Sequence, residues 1–95
     1  MTVADLDEVH YDLEQDGELV REQLHRHVSE RAGWATVAIA FREKDKAGAW
    51  KDPKLALLRF RRLHDAWTRQ AALTLAGDEA RELANDLAAW FSATT

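Results

Sequence analysis

The sequence predicts an α+β fold, with a curved antiparallel sheet of about four strands followed by one amphipathic C-terminal helix. Three features predict this class. Apolar residues alternate with period two after residue 33, two further strand-like segments follow short turns, and an apolar stripe with helical spacing follows Gly77. A chain of 95 residues has room for one hydrophobic core, so we expect one folded domain.

The segment from Trp34 to Glu43 is the clearest strand. Val37, Ile39 and Phe41 alternate with small or polar residues, which is typical of a strand with one buried face. The polar run that follows ends in a glycine and predicts a hairpin turn. Because proline cannot donate to a β-ladder, we expect Pro53 at the start of the next strand.

Two further strands are predicted after this turn. In the segment from Lys54 to Arg62 the apolar face changes along the strand, which indicates a bend, a bulge or a contact with a partner. The segment from Ala66 to Ala76 is predicted to place Trp67, Arg69, Ala71, Leu73 and Leu75 on one face. Short turns between consecutive strands predict an antiparallel meander.

The predicted helix covers roughly residues 78–92. Leu83, Leu87, Trp90 and Phe91 recur with helical spacing and form one apolar stripe. Two acidic residues open the segment, where the helix dipole favours negative charge.

The first third of the chain fits more than one secondary structure. Val3, Leu6, Val9 and Leu13 have helical spacing, but the residues from Val9 to Leu13 also alternate as in a strand. Residues 18–30 fit a helix slightly better, although a turn before Trp34 would also let them pair as a strand. The pattern alone leaves both alternatives open.

Charge is divided unevenly along the chain. Residues 1–33 carry three basic and nine acidic side chains, residues 34–76 carry nine basic and four acidic, and residues 77–95 carry one basic and four acidic. The net charge of −4 therefore conceals a basic middle third. Such a distribution can produce a positive face on an acidic protein, although solvated strand positions would explain it as well.

Several protein classes are disfavoured by composition. The chain has no cysteine, which excludes disulfides and cysteine zinc sites, and its four glycines are isolated, so we find no phosphate-binding loop. His25 and His27 would share a strand face, but no third metal ligand is evident, and we predict no cofactor. We expect a non-enzymatic, cytoplasmic protein without a membrane segment or secretion signal.

Basic and aromatic residues occur together in the middle third, which is the composition of surfaces that bind single-stranded nucleic acids. The chain from Trp34 to Trp90 resembles the PC4-like (p15 transcriptional coactivator) single-stranded DNA-binding domain. The shared features are a strand ending in Arg42-Glu43, a turn with Asp45 and Gly48, the pairs Trp50-Lys51 and Pro53-Lys54, and a last strand leading through Asp78-Glu79 into the helix.

This resemblance implies a curved four-stranded sheet and a helix, a homodimer formed through the helix and the sheet, and a role in transcription or in DNA replication and repair. It makes residues 18–30 the first strand and divides the chain into an acidic N-terminal segment, residues 1–17, and a binding domain, residues 18–95. Lys51 and Lys54 would correspond to phosphate contacts, and Arg42 and Lys44 would lie near a further basic and aromatic contact.

The resulting hypothesis is a single-stranded DNA-binding protein, with RNA as another possible ligand. The predicted phosphate contacts are Arg42, Lys44, Lys51, Lys54, Arg59, Arg61 and Arg69, and the predicted stacking residues are Trp50, Phe60 and Trp67. Leu83, Leu87, Trp90 and Phe91 are predicted to pack on the sheet and across the dimer. The alternative hypothesis is a protein-interaction or dimerisation module that does not bind nucleic acid.

Overall fold

The computed structural model describes residues 1–92, which form a curled six-stranded antiparallel sheet and one α-helix. The strands are β1 (Thr2–Val3), β2 (Leu13–Gln15), β3 (Glu18–Arg31), β4 (Trp34–Glu43), β5 (Lys54–Leu63) and β6 (Ala66–Ala76). The helix α1 spans Gly77–Trp90, and a short 3-10 helix spans Leu6–Glu8. The strand order across the sheet is β1-β6-β5-β4-β3-β2.

The predicted α+β class and antiparallel meander are confirmed, but the sheet has six strands and not about four. The two additional strands are the short β1 and β2, which pair with β6 and β3 at the two ends of the sheet. Residues 18–30 form the long strand β3, although their pattern slightly favours a helix. Tertiary pairing decides the outcome here, because β3 pairs along nearly its whole length with β4.

The strands follow one another through tight turns. In the turn between β3 and β4, Ala32 and Gly33 both have positive φ, of 53° and 80°. Asp16 and Gly17, in the turn between β2 and β3, also have positive φ, of 53° and 78°. Two consecutive residues of positive φ give the turn a twist that matches that of the flanking strands.

The core lies on one face of the sheet, which we call the inner face. It is formed by alternate residues of the two central strands, together with one residue of β6: Ala35, Val37, Ile39, Phe41, Ala56, Leu58, Phe60 and Trp67. Residues that alternate with these point to the opposite side, which we call the outer face.

The N-terminal residues close the inner face. Leu6 and Val9 are buried in the core, and Val3 and Tyr11 pack against it. Arg26 of β3 holds this segment by donating from Nη2 to the carbonyl oxygen of Leu6. Leu6 and Val9 thus join the N-terminal segment to the core of the sheet.

A bulge in β6 changes the predicted faces of that strand. Arg59 pairs with Ala71, but the next residue of β5 pairs with Arg69, which leaves Gln70 as an extra residue. Trp67 and Arg69 therefore lie on the inner face. The other residues predicted to share their face lie on the outer face, namely Ala71, Leu73 and Leu75. Alternation in the sequence cannot reveal this shift, because the residues on both sides of it are of mixed polarity.

The helix follows β6 directly, and its first residue fits tightly against the preceding loop. A Cβ atom added to Gly77 would lie 2.5 Å from the carbonyl oxygen of Pro53. Beyond this contact the helix is largely exposed, and none of its residues is buried. Leu83, Leu87, Trp90 and Phe91 are exposed in the single chain, and their predicted packing on the sheet and across a dimer stays a prediction.

Candidate nucleic-acid interface

The outer face has a small apolar centre. Its central side chains come from three adjacent strands and are half-buried or exposed: Ala38, Ala40, Leu55, Leu57, Leu73 and Leu75. Basic and aromatic side chains lie on the same face toward both ends of β4, in two clusters that we call the Trp34 cluster and the Trp50 cluster.

The Trp34 cluster joins the beginning of β4 to the end of β5. Trp34 pairs with Arg61, and the guanidinium carbons of Arg59 and Arg61 each lie 4.9 Å from the centroid of the Trp34 ring. Arg59 also donates to Thr36 Oγ1 at 2.8 Å. Both arginines are exposed, and among residues 1–92 neither forms a salt bridge. Their charges are thus available to an anion.

The Trp50 cluster lies at the other end of β4. Arg42 lies over the Trp50 ring with its guanidinium carbon 4.2 Å from the centroid, and Lys44 Nζ lies 5.1 Å from the same centroid. Both cations are also bound by carboxylates of β3. Arg42 Nη2 is 2.8 Å from Glu22 Oε1, and Lys44 Nζ is 2.7 Å from Glu18 Oε1.

The loop between β4 and β5 is ordered around Asp45 and holds Trp50 in place. The Asp45 carboxylate accepts from the backbone amides of Ala47 and Ala49, both at 2.9 Å. An isolated bridge then pairs Lys44 with Trp50, which brings the indole ring back beside the end of β4. Asparagine and aspartate commonly stabilise turns by such side-chain to backbone hydrogen bonds.

The remaining predicted phosphate contacts do not belong to these clusters. Lys51 is exposed in the loop, and Lys54 Nζ lies 3.4 Å from Glu43 Oε1. Arg69 is exposed but lies on the inner-face side of the sheet, next to the buried Phe60. The seven predicted cations therefore do not form one continuous surface.

Two of the three predicted stacking residues are placed differently from the prediction. Phe60 is fully buried and Trp67 is 5% exposed, so neither ring is accessible to a base. The strand pairing explains both positions. Phe60 pairs with Ala35, a core residue of β4, and the bulge at Gln70 places Trp67 on the same inner face. Trp50 is half-buried, and Arg42 and Lys44 lie over its ring.

Sequence reasoning missed Trp34 as a site residue and Glu18 and Glu22 as partners of the cations. Trp34 has the same parity in its strand as Arg42 and the small residues between them, which places it on the outer face. That signal was present in the sequence. The carboxylate partners depend on the register between β3 and β4, which pairs Glu22 with Arg42 only because of a bulge at Leu24.

The carboxyl group of Glu18 has a perturbed pKa. The hydrogen bond from Lys44, aided by the positive charge of its ammonium group, lowers the pKa of Glu18 below its ordinary value. Glu18 therefore stays ionised at neutral pH and competes with any other anion for Lys44.

His25 and His27 lie side by side on the outer face of β3 and are exposed. Within residues 1–92, no group of three or more histidine, cysteine, aspartate or glutamate side chains could hold a metal ion. In the same part of the chain, no helix combines the length and the apolar character required to cross a membrane.

Comparisons with protein-family models, with curated proteins and with solved structures found no match to this chain.

Proposed function

We propose that this chain is a non-enzymatic single-stranded DNA-binding protein of the PC4-like kind, acting in transcription or in DNA replication and repair. The observation that carries the proposal is the Trp34 cluster, in which two exposed arginines lie over a half-buried indole ring on the outer face. Proteins that bind single strands without sequence preference combine these two elements, cations for the phosphates and aromatic rings for the bases.

The geometry of the arginines supports phosphate binding. An arginine that already rests on an aromatic ring loses little conformational freedom when it binds an anion. Arg59 is further oriented by its hydrogen bond to Thr36. Because these guanidinium groups form no salt bridge among the described residues, a phosphate would not have to displace a carboxylate.

The two clusters together suggest a path for the strand. Trp34 and Arg42 lie eight positions apart on one face of β4, a separation of about 26 Å at 3.3 Å per residue. A strand along this face would pass over the apolar centre and meet an aromatic ring with cations at each end. Such a path matches the several nucleotides that a small single-strand-binding domain usually occupies.

The carboxylates of β3 would make the Trp50 cluster the weaker end of this path. Glu22 and Glu18 already neutralise Arg42 and Lys44. A phosphate must replace these carboxylates. Binding therefore gains only the difference between the free energy of the cation–phosphate contact and that of the cation–carboxylate contact. Lys51, which is exposed in the loop beside Trp50, would add a charge there.

A homodimer belongs to the proposal, and the alternative function rests on the same feature. The apolar stripe of α1 is exposed, with Trp90 66% and Phe91 78% accessible, and large exposed apolar side chains in a row are typical of interaction sites. If the outer face does not bind nucleic acid, the chain is best explained as a protein-interaction or dimerisation module.

The proposal is tested by titrating the protein into a fluorescently labelled single strand of about 20 nucleotides, its duplex and the corresponding RNA, at low and moderate salt. We expect the single-stranded DNA to bind most tightly and its affinity to fall steeply with salt. Absence of binding to every oligonucleotide at low salt would reject the proposal in favour of the interaction module. Tighter binding of RNA would keep the site and change its ligand.

A further inference from the structure

One edge of the sheet is open along most of β6. Strand β1 pairs only with Trp67 and Thr68, and the carbonyl oxygen of Met1 accepts from the amide of Arg69. Beyond that point, no strand within the described part of the chain pairs with residues 70–76 along the open edge of the sheet. The side chains of this stretch are exposed, apart from the half-buried Leu75.

This open edge lacks the features that normally prevent strands from pairing with one another. Residues 71–76 read AALTLA and contain no charge, no proline and no glycine. Proteins usually protect an edge strand with lysine, proline, a bulge or a covering segment. The bulge at Gln70 and the cover by β1 both end before this stretch. The edge is therefore a template for another strand.

The direction of the backbone groups can be followed from the neighbouring strands. The amide of Arg62 donates toward β4, and the direction alternates along β5, so Leu57 turns its backbone toward β6. Leu57 pairs with Leu73, which uses its own amide and carbonyl inside the sheet. Ala72 and Thr74, on either side of Leu73, therefore turn their amides to the open edge.

We propose that two copies of this chain pair antiparallel through β6, about a two-fold axis at Leu73, and join their sheets into one. This inference rests on the homodimer contained in the proposed function and gives that dimer a geometry. In this register Ala72 of each copy faces Thr74 of the other, and the outward amides and carbonyls of both residues become bonded.

A second copy fits this edge because the edge is complementary to itself. A two-fold axis brings the same segment onto itself, and a stretch without charge does so without repulsion. Leu73 would contact its own counterpart, and this side chain is 55% exposed in the single chain.

The shape of the single chain agrees with a shared core. Its Cα radius of gyration is 15.4 Å, whereas a compact domain of 95 residues has about 12 Å. Joining the sheets at β6 would make the apolar outer faces around Leu57 and Leu73 continuous. The exposed stripes of the two α1 helices follow directly from the joined strands and could then be covered in the assembly.

The test is the mass of the protein in solution, measured by light scattering at micromolar concentration. We expect twice the chain mass of 10.8 kDa for the unaltered protein. Leu73→Lys would place two ammonium groups side by side at the axis, and Thr74→Pro would remove an outward amide while sparing the bonds to β5. Each substitution should convert the dimer to the monomer, with circular dichroism showing that the fold is kept.

The matched control is Leu63→Lys, which introduces the same charge at a leucine that is 44% exposed but lies at the far end of β5. It should remain dimeric. A monomeric unaltered protein would overturn the inference, as would a dimer that survives both edge substitutions. A monomer that still binds single-stranded DNA contradicts the homodimer and its edge pairing but leaves DNA binding standing, whereas a dimer that binds no oligonucleotide contradicts the proposed DNA binding and leaves the edge pairing standing.

Discussion

Arg42 lies over the indole ring of Trp50, with its guanidinium carbon 4.2 Å from the ring centroid. The same guanidinium group is bound by a carboxylate of the neighbouring strand, Glu22, at 2.8 Å. A cation that could hold a phosphate is thus stacked on an aromatic ring and neutralised at the same time. Arg42 is therefore a paired cation, in contrast to Arg59 and Arg61, which are available to a ligand.

The available cations are tested by Arg59→Ala combined with Arg61→Ala. We expect the affinity for single-stranded DNA at low salt to fall at least about tenfold, or about 1.4 kcal/mol. Loss of two phosphate contacts should also reduce the slope of log affinity against log salt by about 1.4. The control is Arg62→Ala, an exposed arginine that pairs with Trp67 on the inner face, and it should change neither value. Unchanged binding of the double variant would remove the Trp34 cluster from the interface.

The role of the paired cations is tested by removing the carboxylates that bind them. Glu22→Gln and Glu18→Gln remove the carboxylates that hold Arg42 and Lys44, so each should raise the affinity for single-stranded DNA by a few-fold. Glu30→Gln changes the charge equally on the same strand but affects no cation of either cluster, and it should have a smaller effect. Equal gains in all three variants would indicate net charge alone.

The double substitution Lys51→Ala and Lys54→Ala tests the two contacts that the family resemblance implies. Lys54 is already paired with Glu43, so we expect most of the loss to come from Lys51. The affinity for single strands should fall and its salt dependence should become flatter in the double variant. The single variants, measured in the same titration, divide the effect between the two lysines, and a larger loss in Lys54→Ala would contradict this ranking.

Stability should depend weakly on pH through Glu18. Because Lys44 lowers the pKa of Glu18 in the folded chain, the stabilisation is present above the ordinary pKa of 4.5 and is lost as pH falls through the lowered value. In urea unfolding, the difference between the unaltered protein and Lys44→Met should therefore shrink on going from neutral pH to below that range. Glu18 is exposed, so the effect should be small. A difference that grows in acid would contradict this pairing.

The N-terminal residues should contribute to the stability of the whole domain. Leu6 is 7% exposed in the core, so Leu6→Ala should cost about 2 kcal/mol or more in unfolding free energy. Leu13→Ala removes the same atoms from a side chain that is 39% exposed and should cost clearly less. Equal small losses in urea unfolding would mean that residues 1–17 are attached only loosely to the sheet.

Gly77→Ala should reverse the usual effect of this substitution in a helix. Alanine normally favours a helix over glycine by about 1 kcal/mol, but here the new Cβ would lie 2.5 Å from the Pro53 carbonyl oxygen. We expect a net destabilisation of about 1–3 kcal/mol. Ala84→Gly, in the exposed part of α1, supplies the ordinary propensity cost for comparison. A stabilised Gly77→Ala variant would show that the loop containing Pro53 can move away from the new Cβ atom at little cost in free energy.

The structure agrees with the sequence where the pattern is strong and local. The strand from Trp34 to Glu43 is predicted and observed with the same ends, because strict alternation fixes both its conformation and its buried face. Pro53 lies just before β5, as its missing amide requires. The helix begins one residue before the predicted start, at Gly77.

The candidate site was predictable only in part. The nine basic residues of the middle third and the nearby tryptophans are visible in the sequence, and so is the shared parity of Trp34 and Arg42. Phe60 and Trp67 were predicted as stacking residues, yet both are in the core. Aromatic type does not distinguish a core residue from a stacking residue, since both roles use the same side chain.

By itself, the sequence determined the fold class, the three consecutive strands β4, β5 and β6, the helix and the basic character of residues 34–76, because these depend on periodicity, turn residues and composition. Only the tertiary structure decided which cations are paired, which face Trp67 occupies and that Leu6 and Val9 close the core. These features depend on strand register and on the bulges at Leu24 and Gln70. A shift of one residue moves a side chain to the other face, and long-range pairing, not local pattern, sets that shift.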